Sequence, residues 1–86
     1  MIAPLRVKHS TDVNVLYVSY GEGTISHTEA VDADGEILAD IGIDGRVIGI
    51  ECLCIDGDLR SALQTYAVKH DLLIPPEVDA FRRSFA

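Results

Sequence analysis

The stretch EILADIGIDGRVIGIECLCI, residues 36–55, decides the fold. From Glu36 to Ile43 the apolar residues recur at every second position: Ile37, Ala39, Ile41 and Ile43 point one way, Glu36, Leu38, Asp40 and Gly42 the other. That is the period of a strand with one buried face. Asp44-Gly45 supplies the corner that follows, because glycine reaches positive φ without a Cβ clash while aspartate caps its own turn. The returning segment sets Ile48, Ile50, Cys52 and Cys54 on one side and Val47, Gly49, Glu51, Leu53 and Ile55 on the other. Both sides are largely apolar, so this strand is expected to be covered twice.

Turn signals of the same kind recur at Ser10-Thr11-Asp12, Gly21-Glu22-Gly23, Asp34-Gly35 and Asp56-Gly57, at roughly ten-residue spacing. They mark out three earlier strands. Leu5, Val7 and His9 make a short one. Val15 to Tyr20 is β-branched and aromatic, with Leu16, Val18 and Tyr20 on one face. Thr24 to Val31 places Ile25 and Val31 on the same face as His27 and Glu29, which suits the edge of a sheet. After Asp56-Gly57 the period changes from two to 3.6. Leu59, Ala62, Leu63, Tyr66 and Ala67 form one helical stripe, with Asp58 placed as N-cap and Lys69 and His70 in the last turn. Pro75-Pro76 breaks the helix, and Val78, Phe81 and Phe85 then fall at i, i+3 and i+7 of a short second one. So short a helix needs this sheet or a second copy of the chain to lie against.

The expectation is therefore an α+β fold: an antiparallel β-meander of four to five short strands (5–55), an amphipathic helix (58–70) and a short C-terminal helix or tail (76–85). All 86 residues form one domain with one modest core. No apolar run reaches the roughly 18–20 residues that span a bilayer, and the N-terminal residues lack a signal-peptide pattern. Cys52 and Cys54, two apart on a strand, would hold their Cα atoms about 6.5–7 Å apart, at the limit for a disulfide. A reducing cytoplasm is the expected compartment, with both thiols packed as small apolar groups.

Charge is segregated along the chain. Between His9 and Leu59 eleven carboxylates face Arg46 alone, a local net of −10 within a whole-chain net of −7. Such a field repels nucleic acid and anionic lipid, whose binding depends on cations that displace counterions from phosphate. A basic protein or a metal cation suits it better.

Residues 12–18 (DVNVLYV), 28–31 (TEAV) and above all 44–51 (DGRVIGIE) resemble the small bacterial family called domain of unknown function 2283, over about residues 5–55. Asn14 stands where that family usually carries an acidic residue. The resemblance implies a compact β-meander without an established activity. Through the family's small toxin-like neighbours it also implies a neutralising, antitoxin-like role.

Several constellations invite a chemical reading. Asp32, Asp34 and Glu36 alternate around Gly35 as in a calcium loop, but the bidentate glutamate twelve positions into such a loop is missing, so a solvated acidic turn is the plainer reading. His9, His27, His70, Cys52 and Cys54 lack the paired spacings of structural zinc. His27 and Glu29 share a strand face as a dyad would, yet no recognised spacing brings a nucleophile to them. Phosphate-cradling glycine loops are absent and no cofactor is implied. The chain is expected to be a non-enzymatic acidic interaction module, homodimeric, that holds a basic protein partner. Val78, Phe81, Arg82 and Phe85 are the candidate interaction residues, and neither nucleic acid nor membrane is a partner. The competing reading is a small divalent-metal or ligand-binding protein using Asp32, Asp34 and Glu36 with the histidines His9, His27 and His70.

Overall fold

The computed structural model describes residues 1–83. Strands β1 (Arg6–Ser10), β2 (Val15–Ser19), β3 (Ile25–Ala30), β4 (Ile37–Gly42) and β5 (Val47–Cys52) form one antiparallel sheet, followed by helices α1 (Gly57–His70) and α2 (Glu77–Arg83). The α+β class and the order of elements agree with the sequence. The pairing is more particular than a plain meander. The strand order is β1-β2-β5-β4-β3, so the β1–β2 hairpin joins the β3–β4–β5 meander through β2 and β5 rather than through β2 and β3. This leaves the polar β3 at one edge, as its composition suggests, and β1 at the other.

Turn chemistry follows the glycine argument at two corners: Gly35 and Gly45 sit at φ +72° and +84°, where a Cβ would be strained. Asp56-Gly57 does something else. Asp56 has extended backbone and its carboxylate accepts the Leu59 N–H at 2.8 Å, so it is the N-cap of α1, and Gly57 opens the helix. The cap is thus Asp56 and not Asp58, which lies in the first turn where its charge still suits the dipole.

Both helices pack on the same side of the sheet. Leu59, Leu63 and Ala67 of α1 are buried with Leu16, Val18, Ile37, Ala39, Ile41, Ile50 and Cys52. Val78 and Phe81 of α2 join that core, and Arg60 of α1 donates from Nε to Asp79 of α2 at 3.0 Å. Each buried aliphatic side chain contributes roughly 1.5–3 kcal/mol, so this single layer of contacts carries the stability.

Two bulges alter the sequence reading of the faces. In β5 the register shifts so that Ile41 pairs with Val47, which makes Ile48 the extra residue. Its carbonyl accepts from both Tyr20 and Gly21. Val47 therefore turns into the core and Ile48 out of it, the reverse of unbroken alternation. The second bulge, at Ser26 of β3, falls between the Ile25 and His27 pairings. Ile43, aligned by alternation with the core residues of β4, is 77% exposed because the strand ends at Gly42 and the chain has begun its turn. Ile55 is buried because β5 ends at Cys52 and the chain leaves the pleat before reaching it.

Candidate interaction surface

The side of the sheet away from the helices carries no second layer among the described residues. Register sets its rows: Arg6, Ser19, Gly49, Asp40 and Thr28 lie in line across all five strands, and Lys8, Tyr17, Glu51, Leu38 and Ala30 form the next line. Glu36 extends the carboxylates along β4, its carbonyl bonded to the Leu53 N–H. The expectation that β5 is covered on both sides is not met: among the described residues only the helix side has a second layer, and Val47, assigned to the outer side by alternation, is turned into the core by the bulge. Tyr17 lies across Gly49, and an ideal Cβ on that glycine would stand 2.4 Å from the tyrosine Cζ. One aromatic ring, not a layer of structure, covers the centre of the face.

That ring is pinned. Tyr17 donates its phenol to Asp40 Oδ2 at 2.8 Å, while Thr28 donates to Asp40 Oδ1 at 2.7 Å. Both oxygens of Asp40 are thereby oriented, and three strands are laced on their outer surface. Desolvation, then the bond to Asp40 and the charges of Asp40 and Glu51, hold the Tyr17 phenol far above its ordinary pKa, so it stays a neutral donor.

At the β3 edge, on the helix side, the His27–Glu29 pair exists. His27 Nε2 lies 3.4 Å from Glu29 Oε1, and Tyr66 of α1 donates to Glu29 Oε2 at 3.0 Å. The Tyr66 bond is the main reason the Glu29 carboxyl is held below its ordinary value; desolvation opposes it, and His27 and His70 nearby add to the lowering. The bulge also brings in Ser26, whose Oγ is 3.3 Å from His27 Nδ1. A serine, an imidazole and a carboxylate are thus aligned where spacing alone predicted no nucleophile. The signal was the Ser-His pair, usable only by a reader who knew a bulge would turn both side chains together. The side chains of His27 and Glu29 are 56% and 42% exposed, and at more than 3.2 Å both contacts are long for proton transfer. These bonds fasten α1 to the edge strand.

The acidic turn is self-occupied. Asp32 Oδ1 accepts from Ile37 N–H at 2.8 Å and Oδ2 from Asp34 N–H at 3.1 Å. Desolvation pushes its pKa up, but backbone N–H groups led by Ile37 outweigh that and leave it lowered. Asp32, Asp34 and Glu36 do not converge, and among the described residues no group of three or more His, Cys, Asp or Glu side chains is placed to hold a metal ion. Cys52 and Cys54 are free thiols; burial pushes the Cys52 thiol up to about 12.

Two of the four proposed interaction residues serve the fold instead. Val78 and Phe81 are 1% and 2% exposed, turned against the chain's own sheet because a seven-residue helix is held only by what it buries. Phe81 also meets His9 edge-on at 5.3 Å. Phe85 and the side chain of Arg82 lie outside the described residues. No described helix is long and apolar enough to cross a membrane.

A family model, Protein of unknown function (DUF2283), matches residues 6–54, which are the five strands and the connections between them. No curated protein and no solved structure matches the chain.

Proposed function

The chain belongs to the DUF2283 family of proteins of unknown function, and from that premise we propose that it is a non-enzymatic interaction module whose open sheet face holds a basic protein. The observation that carries this reading is the face itself. It lacks a covering layer among the described residues, is stiffened by the Tyr17–Asp40–Thr28 bonds, and presents Glu51 of β5 together with Glu36, the residue that leads into β4. A rigid, polar, uncovered sheet surface loses little side-chain freedom on binding. The antitoxin-like form of the reading draws on the family resemblance: the basic partner would be a small toxin encoded beside this chain. Free thiols at Cys52 and Cys54 suit the cytoplasm for such a pair. Exposed Ile25, Ile43 and Val68 give a homodimer apolar surface to bury.

Co-expression with the neighbouring gene product tests it, with Glu36→Gln and Glu51→Gln together as the variant. The expected result is a complex stable at about 0.01 M salt, weakened at about 0.15 M as the screening length falls, and lost in the double variant. A complex indifferent to the variant, or shifts of amide resonances confined to the helix side, would remove the open face from the interface.

A further inference from the structure

The two edges of the sheet are built differently. At β3 the bulge at Ser26 breaks the ladder, and such irregularity is a common way to stop another strand from pairing. β1 has no such break. Its register with β2 runs continuously from Arg6↔Ser19 to Ser10↔Val15, and among the described residues it pairs with β2 alone. Half of its backbone N–H and C=O groups therefore face outward in a regular row.

A groove runs beneath that row on the helix side. One part, about 490 Å³, is lined by Pro4, Leu5, Val7, Ile74, Pro75 and Glu77 among others. The next, about 230 Å³, shares Val7 and Glu77 and continues past His9 to Ala80 and Phe81. A sixth strand laid along β1 would drop every second side chain into this trough, which is mixed polar and apolar beside Pro4 to Val7 and mostly apolar toward Ala80 and Phe81. Its intervening side chains would rise on the open face beside Arg6 and Lys8.

We propose that the β1 edge is a strand-addition site for an extended peptide segment in which apolar residues alternate with acidic ones. The apolar set fills the groove, and the acidic set lies across from Arg6 and Lys8. The same charges argue against a second copy here. Antiparallel self-pairing centred on Val7 sets Arg6 against the other chain's Lys8, and centred on Lys8 it sets lysine against lysine; like charges directly opposite one another destabilise a ladder. A homodimer would thus use another surface. This site is independent of the open-face reading, since it needs neither Glu36 nor Glu51.

The probe is a capped heptapeptide alternating Glu and Val, with an alternating Lys and Val peptide and the chain's own residues 5–11 as comparators. Amide hydrogen exchange and ¹⁵N shifts are read on the whole folded chain. The Glu–Val peptide is expected to slow exchange at outward-facing β1 amides and leave β3 unchanged. The Lys–Val peptide is expected to bind about tenfold more weakly, from two cross-strand charge pairs reversed. The variant Arg6→Glu with Lys8→Glu, both exposed in the fold, should invert that preference. Protection appearing at β3 or across Glu51, equal affinity for the two peptides, or dimerisation through β1 relieved by the charge reversal would each overturn the proposal.

Discussion

Replacing Gly49 by alanine should destabilise the protein, and the reason lies entirely in one neighbour. The glycine does not need positive φ, so its backbone accepts any residue. The obstacle is the Tyr17 side chain: a Cβ at position 49 would fall 2.0 Å from its Oη and 2.7 Å from Cε1. Relief requires the ring to swing off the sheet. That sacrifices the phenol's bond to Asp40, about 1–1.5 kcal/mol for a partly exposed bond to a carboxylate. It also exposes a ring face of order 40 Å², about 1 kcal/mol more. Alanine returns roughly 0.5–1 kcal/mol through its lower backbone entropy in a strand, so the net loss is about 1–2 kcal/mol. In a Tyr17→Ala background there is nothing to displace, and Gly49→Ala should be neutral or stabilising by about 0.5 kcal/mol. The coupling between the two sites is then about 2 kcal/mol, within the range for residues in contact. Urea unfolding of the four proteins of the cycle, followed by circular dichroism, reads it out. With a slope of about 1 kcal/mol/M, the single variant's midpoint should fall by about 1–2 M. If Gly49→Ala is as harmful without the tyrosine as with it, the glycine answers to backbone crowding and the argument fails.

Four smaller effects follow from other contacts. Asp56→Ala should cost about 1 kcal/mol by removing the cap of α1, whereas Asp58→Ala should cost only about 0.3–0.5 kcal/mol; equal losses by thermal unfolding would contradict the cap assignment. The Glu29 carboxyl is held low in the folded state, so its contribution to stability is present above 4.5 and fades as pH falls through the lower folded value. Tyr66→Phe, which removes the principal cause, should therefore differ from the parent by a constant amount above 4.5 and converge on it in more acid solution. A thiol reagent should modify Cys54 in the native protein and reach Cys52 only on unfolding, given its burial and its thiol pushed to about 12; equal rates would mean β5 opens readily. Hydrolysis of p-nitrophenyl acetate should be unchanged by Ser26→Ala, and a clear drop would turn the Ser26–His27–Glu29 alignment into a catalytic one.

What could be read in the chain was local. Alternation from Ile37 to Ile41, positive φ at Gly35 and Gly45, and the stripe of Leu59, Leu63 and Ala67 each involve neighbours within a turn or a hairpin, and the structure keeps them all. The errors arise where one residue depends on a strand far away in sequence. Whether Val47 or Ile48 enters the core is decided by a bulge opposite Asp40 and Ile41, and the hydropathy of a valine beside an isoleucine carries no trace of it. Pairing of β2 with β5 joins residues thirty or more positions apart, and no turn signal encodes that choice. Asp56 and Asp58 are equally good caps as residue types; the helix starts where β5 releases the chain.

The acidic run from Asp12 to Asp58 overstates the charge open to a partner, and the contacts say by how much. Asp32 is absorbed by its own turn, and Asp44 accepts from the Arg46 N–H and lies 3.8 Å from its guanidinium. Asp56 caps α1, Glu29 receives Tyr66, and Asp40 is bridged by Tyr17 and Thr28. These carboxylates build the fold, and their oriented oxygens are poorly placed to take a second cation. Glu36 and Glu51, on the open face, have no such structural task among the described residues. Neutralising that pair should therefore weaken a basic partner while leaving the urea midpoint close to the parent's. Neutralising Asp32 and Asp56 should do the opposite, although the net charge changes by the same amount in both variants. If binding followed net charge instead, the two variants would weaken the complex alike, and the open face would have no claim to be the site.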